Sequence, residues 1–326
     1  MTILMAAALA VAAEGQRSPP PPADPLTVTI ETEDADRFAA LFDRTKGRPT
    51  AEQLQRDYLD PGSYGVQVFT PDRIQNAANL AAAVAARPEV YAKAIHVCLP
   101  IAKDTTAELR ATYLAFRGLF PDRALPHLYL VLGAGNSGGT AGPGAQVLGL
   151  EVLCNIADTS DKLRELLRGF YAHETVHTLQ TDPERERPGG ALLNSVLVEG
   201  AADFIARLVT GRQPDPARAT WAAPREAELW RQLKADLTIT RDIERNKIKW
   251  GTPAGTSLHR WVENAGDAPD GWPGELGYWM GQRIWERWYD RQPDKRQALR
   301  AMLDLKDPES VLRQGGYVAA TSNIRS

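Results

Sequence analysis

Five residues restrict this chain more than any others: His173-Glu174-Thr175-Val176-His177, an H-E-x-x-H pattern inside a stretch that reads as a helix. Residues four apart on a helix lie one above the other on the same face, so the two imidazoles can converge on one point. Zinc suits imidazole nitrogen at about 2.0–2.1 Å, and a glutamate between two such ligands is placed to take a proton from a water on the metal. The competing reading is a surface helix with two solvated histidines, so the surrounding sequence has to decide.

The surroundings favour a metal. From Asp161 to Leu179 the apolar residues Leu163, Leu166, Leu167, Phe170, Val176 and Leu179 recur at helical spacing, with Ser160 as the expected N-cap and Asp182-Pro183 as the stop. After Gly189-Gly190 a second helix is expected, with Leu192, Val196, Glu199 and Asp203 along one stripe. That otherwise apolar stripe carries two carboxylates toward the interior, which is costly unless they are paired or bound to a metal. Glu199 is therefore the expected third ligand. Asp203 is the expected acceptor for the other ring N–H of a ligating histidine. An ordinary pair of exposed acids on an amphipathic helix is the alternative.

H-E-x-x-H followed a helix later by E-x-x-x-D resembles the gluzincin clan of zinc metallopeptidases. More narrowly, the chain resembles a bacterial family of zinc-dependent proteases, classed as a domain of unknown function and related to a gliding-motility lipoprotein. The matching pieces are Asn136 to Ala141, Ala172 to His177, Glu199 to Phe204, Gly277 to Gly281, and a C-terminal stretch from Asp294 through Asp307-Pro308 to Gly316-Tyr317. They span roughly the last two thirds of the chain, and the metal motif is the specific part. The resemblance implies a zincin-like α+β fold, mainly α-helical, with a small sheet beside the H-E-x-x-H helix. It also implies Zn²⁺ held by His173, His177 and Glu199, Glu174 as general base, and peptide or protein substrates. Gluzincins commonly supply a Tyr or His to stabilise the oxygen of the tetrahedral intermediate, which makes Tyr278 the first candidate here and His259 the second. A non-catalytic zinc-binding envelope or scaffold protein is the rival reading.

Met1 to Ala13 is a short apolar run ending in Ala10-Val11-Ala12, which fits a signal peptide and an exported, periplasmic or extracellular protein, although no Lys or Arg precedes the run. No cysteine follows it, so lipid attachment is not expected. Residues 14–25, with Pro19 to Pro22, read as a stiff exposed linker. The rest, 26–326, is read as one zincin-like domain: a helical N-terminal part (26–120), a metal-binding core (121–211) and a helical C-terminal part (212–326). A chain with 24% charged residues and a net charge of −3, without a basic stripe, lacks the footprint that nucleic-acid phosphates need. No stretch after the first is long and apolar enough to span a bilayer. Cys98 and Cys154 follow no metal-binding spacing, and a disulfide and two free thiols both remain open.

Strands are expected at Leu26 to Glu31, His127 to Gly133 and Gln146 to Cys154. By the zincin resemblance, the last of these edges the cleft and pairs with extended substrate. Helices are expected at Ala35 to Lys46, Ala51 to Tyr58, Pro71 to Ala86, Pro88 to Cys98 and Thr105 to Phe120. Further helices are expected at Pro224 to Lys247, Leu276 to Arg291, Asp294 to Leu303 and Pro308 to Gln314. Gly133 to Gly138 matches G-x-G-x-x-G after a strand, but the glycines and proline that follow cannot start the helix that a dinucleotide site requires. His96 reads as a packed or surface histidine. All eight tryptophans fall after residue 220 and read as core or cleft wall.

Overall fold

The computed structural model describes residues 17–315 except Glu184 and Glu186. Among these residues there are sixteen α-helices and a four-stranded sheet, so the described chain is mainly helical α+β. The expected signal peptide and Gly316-Tyr317 lie outside the described residues.

In the N-terminal half, β1 (Ile30–Glu31) leads into α1 (Glu33–Arg44), α2 (Ala51–Leu54), α3 (Tyr64–Phe69), α4 (Ala77–Ala86), α5 (Pro88–Lys93), α6 (Leu99–Lys103) and α7 (Thr106–Leu119). The strands β2 (His127–Val131), β3 (Gly139–Gly142) and β4 (Ala145–Gly149) follow, then α8 (Leu150–Ile156), α9 (Ser160–Leu179) and α10 (Gly190–Thr210). The remainder is α11 (Pro216–Ala222), α12 (Glu226–Thr240), α13 (Pro253–His259), α14 (Leu276–Arg291), α15 (Lys295–Asp304) and α16 (Pro308–Gly315).

The strand order is β1-β2-β4-β3, parallel through β1, β2 and β4, with β3 antiparallel at the edge. Alternation along the strands assigns each face. Leu128 pairs with Gln146 and Tyr129 with Val147, so these two pairs point to opposite sides. Gln146 turns toward α9, where its Nε2 donates to Thr175 Oγ1 at 2.7 Å and to Tyr113 Oη at 2.8 Å. Tyr129 turns toward α3, where it lies against Gly65 so closely that a Cβ there would be 2.4 Å from Tyr129 Cβ. The sheet is thus held between α3 and α9, and buried polar bonds pin the H-E-x-x-H helix to it.

Several expectations change. Of the strand expected over Leu26 to Glu31 only Ile30–Glu31 forms, and residues 25–27 are a turn. The strand expected over Gln146 to Cys154 ends at Gly149, and Leu150–Ile156 is a helix, because a short apolar run does not distinguish a buried strand from a buried helix. In consequence β4 is central, and the cleft edge belongs to β3, in a glycine-rich segment where no strand was expected. The helix expected over Pro71 to Ala86 breaks at Gln75, whose φ is 65°, and restarts where the Asn76 side chain accepts from Asn79 N. The one expected over Pro224 to Lys247 is only Glu226–Thr240.

The expected linker is also attached to the body. Ala23 N donates to Leu125 O at 2.9 Å and Arg17 N to Gln67 Oε1 at 2.8 Å. Cys98 and Cys154 are bridged, joining the segment before α6 to α8. Most of the tryptophans are core: Trp261 and Trp285 are fully buried, whereas Trp250 is exposed.

Helix α10 lies between α9 and α14. It crosses α14 where Gly200 faces Gly281, and a Cβ on Gly281 would be 1.9 Å from Val196 O. Only hydrogen side chains permit that approach. Trp285 Nε1 donates to Leu197 O at 2.8 Å beside the crossing. We expect Gly281→Ala to force the two helices apart and to lower stability by about 2–4 kcal/mol in urea unfolding. Wild-type stability would refute the close crossing. Replacing both Cys98 and Cys154 by Ser should cost about 2–4 kcal/mol, since the bridge closes a long loop, and a thermal shift relative to the oxidised protein measures it.

Candidate metal centre

Helix α9 starts at Ser160, and the side chain of Thr159, one residue before the expected cap, accepts from Lys162 N. Its buried stripe runs through Leu163, Leu167, Tyr171 and Thr175, and a neighbouring face of the same helix carries His173 and His177 toward α10. The helix ends at Leu179 because Gln180 turns extended, with ψ at 138°. Helix α10 begins at two left-handed glycines, and a Cβ on Gly190 would be 2.0 Å from Thr240 O. From that start the stripe Leu192, Val196, Glu199 and Asp203 faces inward as expected, with Asp203 buried and Glu199 half-buried.

Three atoms meet between the helices. His173 Nε2 and His177 Nε2 are 3.0 Å apart, and Glu199 Oε2 is 3.3 Å from the first and 3.2 Å from the second. The opposite ring atoms are engaged: His173 Nδ1 with Asp203 Oδ1 at 3.0 Å, and His177 Nδ1 with Gln180 Oε1 at 2.8 Å. The Gln180 amide is itself oriented by donating to Val198 O at 2.8 Å. A carboxylate oxygen and an amide oxygen only accept, so both Nδ1 atoms are the protonated ones. In its neutral form each ring then turns a bare Nε2 lone pair toward the other and toward Glu199 Oε2, a buried oxygen without a hydrogen-bond donor.

Three converging lone pairs repel one another unless a cation lies among them. Ligands about 2.0–2.1 Å from a tetrahedral centre are separated by roughly 3.3 Å, close to the separations here. His173, His177 and Glu199 are therefore a group that could hold a metal ion. Protons compete for the same place. Burial is the largest single influence and pushes both imidazoles down, yet Asp203 and Glu199 lift His173 well above its ordinary value, and Glu199 lifts His177. Burial likewise pushes Glu199 up, but the two imidazoles outweigh it and hold the carboxyl well below its usual range.

Beside this triangle lies a cleft of about 570 Å³, bordered by β3, α9, α10 and the start of α14. Glu174 is on its wall, and a Cβ on Gly139 of β3 would be 2.5 Å from Glu174 Oε1, so the edge strand touches the carboxylate. Burial raises the Glu174 pKa against the pull of the two imidazoles. Tyr278 is also on the wall, its ring stacked on His173 with centroids 5.8 Å apart and planes 4° from parallel. Burial and the charges of Glu199, Glu275 and Asp203 raise the phenol well above its usual range, leaving it a hydrogen-bond donor.

His259 lies outside the cleft, edge-on to Trp250 with Nε2 3.2 Å from Asp267 Oδ2. His96 is a surface residue 3.1 Å from Asp43. In the G-x-G-x-x-G segment, the amides of Gly133 and Gly135 each donate to Glu151 at 3.0 Å, so a buried carboxylate of the chain itself takes the place where a phosphate would bind.

Two supporting residues escaped the sequence reading. Gln180 is three residues after His177, a spacing at which a side chain reaches back along a helix end, and that was the available signal. Arg218, on α11, had none. Its Nη1 is 3.6 Å from Asp203 Oδ2, and its guanidinium is 5.3 Å from the centre of the Tyr278 ring. No protein-family model, curated protein or solved structure matches the chain.

Asp203→Ala and Gln180→Ala should each weaken the affinity for a divalent metal ion by about 10–100-fold, measured by competition with a chromophoric chelator. Unchanged affinity in both variants would mean that the two Nδ1 contacts do not orient the rings toward a metal.

Proposed function

We propose that the protein is a zinc-dependent peptidase of zincin-like fold, acting on peptides or proteins outside the cytoplasm. The observation that carries this reading is the buried Glu174 carboxylate on the wall of an open cleft beside three converging acceptor atoms. The chemistry of that donor set, two imidazoles and one carboxylate, matches zinc sites that hydrolyse amides. A bound zinc would supply Lewis-acid activation, polarising a carbonyl and lowering the pKa of water toward about 7.

The remaining work falls to the chain. Glu174 accepts the proton of the attacking water and returns it to the leaving amine, and a carboxyl group lifted by burial is suited to both halves of that transfer. Tyr278 donates toward the oxygen on which charge builds as the carbonyl is attacked. Strand β3 pairs with β4 along one side and borders the cleft, so an extended peptide can add beside it through its backbone. His173 and His177 stay in a single tautomer because Asp203 and Gln180 hold their far nitrogens.

The cleft favours an enzyme over a zinc-binding scaffold. A structural site closes with four protein ligands, whereas the group here has three among the described residues, and a scaffold has no use for Glu174. The Cys98–Cys154 bridge supports export, since such bonds persist in oxidising compartments.

Glu174→Gln should keep zinc at one per chain while peptide hydrolysis falls by about 100–10,000-fold, followed with quenched fluorescent peptides. Hydrolysis at the wild-type rate in that variant would remove Glu174 from the mechanism. A wild-type protein that takes up no zinc would remove the proposal itself.

A further inference from the structure

Arg73 is the cleft residue without a counterpart in the chemistry above. It belongs to the turn of π-helix Thr70–Ile74 that continues α3, whose Val68 packs under Gly142 at the far end of β3. It lines the cleft together with Gly139, Thr140 and Glu174, near enough for its charge to act on the Glu174 carboxyl. Its side chain is half-buried, and Nε is fully buried with no acceptor. Among the described residues no carboxylate and no carbonyl holds any part of its guanidinium.

Other arginines on this wall differ. Arg245 donates to Ser195 Oγ at 2.8 Å and pairs with Glu263. Arg185 is exposed, where water solvates the charge. Burying part of an arginine without an acceptor is costly, and a guanidinium presents its donors in a fixed fork that matches a carboxylate.

A second orphan lies on the same cleft. Asn194 Nδ2 donates to Arg187 O at 3.0 Å and to Gly190 O at 2.8 Å, which fixes the amide, while its Oδ1 is buried without a donor. Outside the metal centre, the cleft therefore offers one unsatisfied donor group and one unsatisfied acceptor, on elements as far apart in sequence as the π-helix Thr70–Ile74 and α10. A peptide carries the complement of both, in a carboxylate and a backbone N–H.

We propose that Arg73 is a specificity residue that binds a carboxylate of the peptide substrate, so that the cleft selects anionic over neutral peptides. This rests on the peptidase reading. The carboxylate is either the C-terminus of the substrate or an acidic side chain near the scissile bond, and both present the same two oxygens to the fork.

The test uses the zinc-loaded full chain and two matched peptide pairs, one with a free C-terminal carboxylate against its carboxamide, the other with an internal Glu against Gln. The wild-type protein should favour the carboxylate member of one pair by about 10–100-fold in kcat/KM, as a charge-assisted contact gives. The pair that responds identifies the source of the carboxylate. In Arg73→Met that ratio should collapse toward about 1, and in Arg73→Lys, which keeps the charge without the fork, a part of it should remain.

The same pairs are titrated by calorimetry into the zinc-loaded Glu174→Gln protein, with and without Arg73→Met. Circular dichroism and zinc content establish that each variant is folded. A selectivity that survives Arg73→Met, or equal treatment of both pairs by the wild-type protein in the two assays, overturns the assignment. If no peptide is hydrolysed but the carboxylate preference in binding persists and vanishes with Arg73→Met, the peptidase reading fails and the anion site stands.

Discussion

Helix α10 has to carry Glu199 and Asp203 through a stripe that is otherwise apolar, and the rest of the centre follows from how those two carboxylates are satisfied. A buried carboxylate without partners is among the most costly groups a fold can contain. Asp203 is answered on both oxygens, by the His173 ring at 3.0 Å and by Arg218 at 3.6 Å. Glu199 is answered by the place where the two Nε2 atoms meet. Both answers require α10 to lie against α9 on one side and α14 on the other. The Gly200–Gly281 crossing permits the second, and brings Tyr278 of α14 onto the His173 ring.

The two histidines are held differently, and the difference has chemical weight. His173 leans on a carboxylate that is itself paired, whereas His177 leans on the amide of Gln180, whose orientation is fixed from α10. A carboxylate partner increases the basicity of the ring more than an amide does, so His173 is the stronger donor of the two. On the opposite side Glu174 rests against Gly139, where a side chain would displace the carboxylate. The glycine-rich segment is thus an edge strand thin enough to admit the carboxylate beside it.

Much of this was readable from residue order. The spacing of His173 and His177, and of Glu199 and Asp203, depends only on the helical repeat, and both helices formed where their apolar periodicity ran longest. The errors occur where the signal is short. Leu150–Ile156 is too brief for its period to separate helix from strand, and Gln75 breaks a helix through a backbone angle that its side chain does not announce. Ser160 and Thr159 are both good caps, and only the local geometry chose Thr159.

Periodicity therefore determined which side chains share a face: two imidazoles on one helix, two carboxylates on another, with a glutamate between the first pair. It could not determine that the faces meet. That depended on contacts between residues distant in the chain, such as Gly200 with Gly281, Gln146 with Thr175 and Asp203 with Arg218, none of which leaves a local pattern. The same holds for the surroundings of Arg73, Gln180 and Tyr278, which come from what the folded chain places opposite them. Local spacing reflects the geometry of one helix, whereas a site is a distance between helices, and that distance is set by packing alone.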